Sequence, residues 1–259
     1  MDFQISGKAA LIIAGTRGLG RACATALVAE GVRVAITGRD VAHGEATARE
    51  LGNGTCFLAG DISNGANRQQ VLEAVIDRFG HPAIVVVNGP GPAADAFLET
   101  PIQAWHEAFQ FMVIPALDIV QRCIPAMVDR KWGRVINLSS ISGKEISLLG
   151  CRANGLRPAL AGALGTLARE VAADGVTINS ILSGPFDTPA MRTVVRQHAG
   201  RMDLTEDEAV TSYAASGPMK RLGNVAELGA LCAFLASAPA GYITGQAIAI
   251  DGGRVASLY

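Results

Sequence analysis

Ala9-Ala10-Leu11-Ile12-Ile13 leads directly into Ala14-Gly15-Thr16-Arg17-Gly18-Leu19-Gly20. A helical pattern then runs to Glu30, and a second apolar run spans Val32 to Thr37. That succession predicts strand, glycine turn, helix, strand. Free N–H groups and the helix dipole at the start of the helix favour an anion, so the turn is a candidate cradle for the phosphates of a dinucleotide. An ordinary tight turn carries the same glycines. The position between a strand and a helix is what favours the phosphate reading.

The alternation continues outward. Strands are predicted at 8–13, 32–37, 55–59, 83–87, 133–139, 176–182 and 246–250, and helices near 18–30, 41–51, 65–79, 101–130, 151–173 and 224–237. Strict alternation implies an α/β fold of Rossmann type: a doubly wound parallel sheet of about seven strands, flanked by helices on both faces. The 259 residues suffice for one large core, and no linker, repeat or low-complexity tract divides them, so 1–259 reads as a single domain. Apolar residues make up 49 % and charged ones 17 %, as a sheet buried on both faces requires. The segment 185–222 breaks the rhythm, with Pro185, Pro189 and Pro218, charged helical pieces and no strand. Following a strand's carboxyl end, it reads as a lid over a small-molecule substrate.

A net charge of −1 gives no reason to expect a nucleic-acid partner. The five cysteines (Cys23, Cys56, Cys123, Cys151, Cys232) are odd in number and form no CxxC pair, which predicts reduced thiols in a cytoplasmic protein. The N-terminus has no signal core, and no apolar run is expected to reach membrane-spanning length. No His/Cys/Asp spacing points to a metal.

About 20 residues beyond the glycine turn, the second strand ends in Gly38-Arg39-Asp40. An acidic residue at that end accepts from ribose hydroxyls and favours NAD. Here Arg39 comes first and Arg17 lies within the turn; two guanidinium groups suit a 2′-phosphate through forked, charge-assisted bonds. The expected cofactor is therefore NADP(H), the alternative being two solvated surface arginines.

Further stretches make a family resemblance specific. They are Arg17-Gly18-Leu19-Gly20, Gly60-Asp61-Ile62, Asn88-Gly89, Gly133-Arg134-Val135-Ile136-Asn137-Leu138-Ser139-Ser140, Val176-Thr177-Ile178-Asn179 and Thr244-Gly245-Gln246 with Asp251-Gly252-Gly253. Over nearly its whole length the chain resembles a short-chain dehydrogenase/reductase. The resemblance implies that Gly15, Thr16, Arg17, Gly18, Leu19 and Gly20 cradle the cofactor. It implies too that Asp61 and Ile62 flank the adenine and that Asn88 and Gly89 support the central strand. It implies as well that Thr188, after Gly184, reaches the nicotinamide carboxamide or phosphates. Asp61 is also readable as a helix or turn cap. The sequence departs from the pattern in the turn, where Ile13 and Ala14 replace the usual Thr-Gly. It departs again in Asn88-Gly89-Pro90-Gly91 and in Ser183, which stands where a proline usually precedes Gly184. Ala14 costs little if its backbone is extended and is strained if its φ is positive.

The larger departure is chemical. Family members use Asn, Ser, Tyr and Lys: the tyrosine gives a proton to the carbonyl oxygen, the serine holds that oxygen, and the lysine binds the ribose. The serine matches Ser140; thirteen residues on, where tyrosine is expected, stands Ala153, and four further, where lysine is expected, stands Arg157. The asparagine position is Met112. Ala153 has no ionisable proton, and Arg157 cannot act as a base at ordinary pH. Asn154 and Arg157 resemble a divergent group with Asn after the missing tyrosine and Arg for lysine.

Two explanations remain open. In the first, the chain still transfers hydride. Ser140 orients the substrate oxygen, Arg157 holds the ribose or the oxyanion, and the proton comes from water, from Lys144 or from the lid's His198 or Tyr213. In the second, a non-redox enzyme (cyclase or dehydratase) or a non-catalytic NADP(H)-binding protein has kept the pocket. Trp105 and Trp132 read as packing anchors and Cys151 as a small filler. Helix 225–236 carries Val225, Leu228, Leu231, Cys232 and Leu235, a stripe that resembles the family's subunit interface and could equally be core. The resemblance implies a homo-tetramer or a dimer.

Overall fold

The computed structural model describes residues 1–147, 150–202 and 205–257, the side chains of 194, 197–202 and 206 excepted. Seven strands form one parallel sheet in the order β3-β2-β1-β4-β5-β6-β7. They are β1 (Ala9–Ile12), β2 (Arg33–Gly38), β3 (Cys56–Ala59), β4 (Ile84–Val87), β5 (Gly133–Ser140), β6 (Val176–Ser183) and β7 (Ala247–Ile250). Each boundary falls within one residue of the expectation. The strand order reverses between β1 and β4, paired through Ala10↔Ile84 and Ile12↔Val86. The crevice outside the carboxyl ends at this reversal is where such sheets bind ligands.

Alternating side chains feed two separate cores. Leu11, Ile13, Val85, Val87 and Val135 point into one cluster, while Ala10, Ile12, Ile84, Val86 and Ile136 point into the other. The first is covered by α3 (Gly65–Phe79), α5 (Ile114–Asp129) and α6 (Cys151–Val171), the second by α1 (Gly18–Ala29) and α9 (Val225–Leu235). A strand buried on both faces reads as a continuous apolar run, which is why these strands were legible. The helix α2 (Val41–Leu51) completes the β2–β3 crossover. In α9, Leu228, Cys232 and Leu235 are buried and Val225 and Leu231 pack against them in the chain's own core.

The helix expected over 101–130 divides at Val113 into α4 (Ile102–Met112) and α5, with Pro115 in the first turn of α5. Together Ile102–Asp129 spans 28 residues and is apolar enough to cross a membrane by length and composition, against the expectation that no run reaches that length. The reason for its apolarity lies in the fold: Ile119, Val120, Cys123, Ile124 and Met127 of α5 are buried against the sheet. The segment after β6 holds α7 (Pro189–Met202) and α8 (Glu206–Ala215), and its ends meet at a single parallel bridge, Phe186↔Gly223. Val195 and Ala209 are buried there with Met191 and Val210 against them, so these two helices share a small core of their own. All five cysteines are free thiols.

Candidate active site

The glycine turn is fixed by backbone bonds to the neighbouring strand and helix. Ala14 N–H donates to Thr37 Oγ1 (3.1 Å) and Gly15 N–H to the Thr37 carbonyl (3.1 Å). The Thr16 carbonyl meets the His43 ring (3.1 Å) and accepts from the Thr47 hydroxyl (3.4 Å). Ala14 has φ +51°, the strained of its two alternatives. Gly20 admits no side chain, because a Cβ there would lie 2.4 Å from the Ala14 carbonyl oxygen and 2.9 Å from Asn88 Nδ2. Asn88 Nδ2 donates to that same carbonyl at 3.4 Å, so Asn88 ties the turn to the end of β4. The helix α1 is flanked at its N-cap by Arg17, with no capping side chain and no acid in its first turn, leaving its N-terminal N–H groups for an anion. Thr188 is 9 % exposed; its methyl lies 3.7 Å from where a Gly18 Cβ would be, and its hydroxyl accepts from Met191 N–H. The first residues of the expected lid thus lie over the glycine turn.

The two arginines differ. Arg17 Nη2 pairs with Asp40 at 3.0 Å, and Asp40 also caps α2 by accepting from His43 N–H. Both partners are more than half exposed, so the pair is worth at most about 1 kcal/mol. Arg39, exposed at the end of β2, makes no hydrogen bond or ion pair among the described residues, and only its charge reaches Asp61. Asp61 caps the next turn: its Oδ1 accepts from Ser63 N–H (2.9 Å) and Ser63 Oγ (2.8 Å). Those two bonds, with the Arg39 charge, hold its carboxyl below the usual value. Gly184 packs by backbone against Asp251, where a Cβ would lie 2.6 Å from the Asp251 Cα, and its N–H closes onto the Ile250 carbonyl.

A narrow cleft, partly open to solvent, brings several expected residues together at the switch point. Ile62, Asn88, Gly89, Met112, Ser139 and Arg157 are in its wall. The wall includes Ser139 rather than Ser140. Ser140 lies partly buried at the end of β5, where its Oγ accepts weakly from Ser142 N–H (3.4 Å). Arg157 is the most informative side chain here. Its Nε is sealed from solvent and has no hydrogen-bond partner among the described residues, and its Nη2 lies 3.0 Å from where a Gly91 Cβ would be. Burial pushes the guanidinium down from its ordinary value, yet arginine stays charged. A fixed cation with an unmet donor in an open cleft fits the ribose and phosphate oxygens of a dinucleotide.

The expected proton donors are not gathered in the cleft. Lys144 is exposed and closes the short turn after β5 through its backbone N–H. Tyr213 packs its ring against the Arg254 guanidinium at 4.9 Å, and the His198 side chain lies outside the described residues. Asn154 bonds the Ser147 carbonyl (2.7 Å) and N–H (3.3 Å), which fastens the loop before α6 rather than facing substrate. The position before Ala153 carries a contact that spacing did not reveal. Arg152 Nε is paired with Asp95 Oδ2, 14 % and 11 % exposed respectively, and Thr100 joins the pair. Burial pushes the Asp95 carboxyl up, and the bonds from Arg152, Cys151 and Thr100 more than reverse it, leaving it below the ordinary value. Cys151 therefore sits beside a polar group, 3.5 Å from Thr100 Oγ1, instead of filling apolar space. Trp105 and Trp132 do anchor packing: Trp105 meets Phe97 edge-on and faces Gly155, and Trp132 is stacked by Lys8 and Arg134.

Comparison with known proteins agrees with this geometry. A family profile described as enoyl-(acyl carrier protein) reductase matches residues 13–254. The chain is 30 % identical over 256 residues to the 3-oxoacyl-(acyl-carrier-protein) reductase FabG of Escherichia coli, covering 98 % of each. It is 27 % identical over 259 residues to the NADPH-dependent reductase BacG of Bacillus subtilis, covering 98 % of this chain and 100 % of that one. Among solved structures, the L-sorbose reductase of Gluconobacter frateurii, complexed with NADPH and L-sorbose, superposes with a TM-score of 0.94 at 27 % identity over 100 % of both chains. With the sheet order, the glycine turn and matches over nearly its full length in agreement, this chain belongs to the short-chain dehydrogenase/reductase family.

Proposed function

We propose that the protein is an NADP(H)-dependent oxidoreductase that reduces a small carbonyl compound, or an activated C=O or C=N group, without a tyrosine donor. The observation that carries this reading is the sealed, unpartnered Arg157 Nε in a cleft shared with Ile62, Asn88 and Gly89. When bound, the cofactor supplies the hydride. In this reading Gly15 to Gly20 and the start of α1 hold the pyrophosphate, Arg39 holds the 2′-phosphate, Asp61 and Ile62 flank the adenine, and Thr188 closes over the turn. Arg157 binds the ribose or steadies negative charge developing on the substrate oxygen. Ser140 orients that oxygen, and a water molecule delivers the proton. Losing a positioned general acid typically costs about 10²–10⁴ in rate, a loss that a substrate with a stabilised product anion tolerates.

The test is a titration with NADPH, NADP⁺, NADH and NAD⁺ followed by nicotinamide fluorescence. NADPH is expected to bind more tightly than NADH, and Arg39→Ala to reduce that preference about tenfold, the loss of one or two charge-assisted bonds. Binding to none of the four rejects the reading. One observation favours a second reading: Met112 and Ala153 offer no proton and Lys144 faces solvent, so the same pocket suits a cyclase, a dehydratase or a non-catalytic NADP(H)-binding protein. Deuterium transfer from labelled NADPH to product separates the two. We also read 1–259 as one domain with a lid at 185–222, cytoplasmic on the strength of its free thiols, and assembled as a homo-tetramer or dimer like the family it resembles.

A further inference from the structure

The loop that leaves β3 is held from beneath by a partly buried ion pair. Arg68, on the first turn of α3, is 8 % exposed. Its Nη1 donates to the carbonyls of Ile62 (2.8 Å) and Ser63 (3.0 Å), and its Nε donates to Asp118 Oδ2 on α5 (2.5 Å). Asp118 Oδ1 in turn accepts from Arg122 Nε (2.7 Å). From above, the same loop is shaped by the Asp61–Ser63 turn and by Asn67 Oδ1, which accepts from Asp61 N–H (3.0 Å). Its one residue in the cleft wall is Ile62.

Burying a guanidinium is costly, and apolar side chains would join α3 to α5 at lower cost. What apolar side chains could not do is grip two successive carbonyls at the sheet's carboxyl edge. We infer that Arg68 and Asp118 form a strut that sets the height of the Ile62 loop in the cleft, and are positioning residues for the adenosine half of the cofactor. The inference rests on the dinucleotide reading of the cleft, and it concerns one end of that ligand only. Removing the strut should let the loop relax toward α5, so that contacts to the adenosine end are lost while those at Arg157 stay as they are.

The experiment compares two ligands, NADPH and adenosine 2′,5′-bisphosphate, by calorimetry on the full chain. Arg68→Met is expected to weaken both by the same factor, about tenfold, roughly the worth of one or two hydrogen bonds at the adenosine end. Asp118→Asn, which keeps the shape and removes the charge, should weaken both by a smaller common factor and serves if Arg68→Met does not fold. Arg68→Lys should recover part of the loss. Arg157→Met is the control at the other end, weakening NADPH and leaving the bisphosphate within twofold. Strut variants that bind the bisphosphate like the wild type overturn the inference alone. So do variants that lose NADPH far more than the bisphosphate, because that is general damage. A wild-type protein that binds neither ligand overturns the cofactor reading, and the inference with it.

Discussion

The turn after β1 and the start of α6 are built in opposite ways. In the turn, Thr37, His43, Thr47 and Asn88 engage the backbone of residues 14–16, so its shape is fixed before any ligand arrives. At α6 the helix begins at Gly150 without a capping side chain, Ala153 presents only a methyl, and the Arg157 Nε has no partner among the described residues. What fixes this end is the pair of Arg152 with Asp95. A turn held through its backbone keeps its bonds whatever the side chain, as Ala14 keeps those to Thr37 and Asn88. A proton carried by one side chain goes with that side chain, and Ala153 has none to give.

The sharpest way to break the comparison is to put the missing side chains back. In the double variant Ala153→Tyr, Arg157→Lys, turnover of simple ketones should rise by about 10²–10⁴, the usual worth of a positioned general acid. NADPH oxidation at saturating cofactor measures it. A flat response would show that the start of α6 has moved as well as lost its acid, and that its backbone does not match the turn in precision.

A smaller effect separates stability from function at the same end. Arg157→Met removes a buried cation whose Nε has no partner, so the ligand-free protein should gain about 1–2 kcal/mol, toward the lower end of what apolar replacement of buried charges gives. NADPH affinity should fall in the same variant. Urea unfolding with and without NADPH reads both quantities. A loss of stability without ligand would mean that the guanidinium is already satisfied inside the chain, and the contrast with the turn would lose its basis.

How much of this was legible follows from the same physics. The β1–α1 turn was readable because its chemistry is backbone chemistry and glycine records it. The strands were readable because burial on both faces leaves a continuous apolar run. The absence at Ala153 was readable too, since it is a matter of counting residues from Ser140. The contacts that hold the site were not. Arg68 with Asp118 and Arg152 with Asp95 join elements 50 and 57 residues apart, and neither partner lies in a periodic pattern with the other. The same holds for Thr37 and His43 under the turn, and for Asp40, which occupies Arg17 and leaves Arg39, of the two, without a partner among the described residues. The break at Val113 was hidden because α4 and α5 are both apolar and Pro115 sits where a helix start tolerates it.

The smallest effect belongs to the turn itself. Ala14 holds φ +51°, a conformation in which its methyl crowds the backbone and glycine pays no such penalty. Its N–H bond to Thr37 and its carbonyl bond from Asn88 over-determine that conformation, so the strain persists in the native state. Ala14→Gly should therefore stabilise the protein by about 0.5–1 kcal/mol: release of the left-handed strain, about 1–2 kcal/mol, exceeds the extra entropy glycine brings to the unfolded chain. The cleft wall is unchanged by the substitution, and NADPH affinity should stay within about twofold, since the turn's shape is already set by its neighbours. A thermal shift with a parallel NADPH titration reads both. Should affinity rise tenfold or more, the turn would be adjusting on binding, and it would then resemble the start of α6 more than it differs from it.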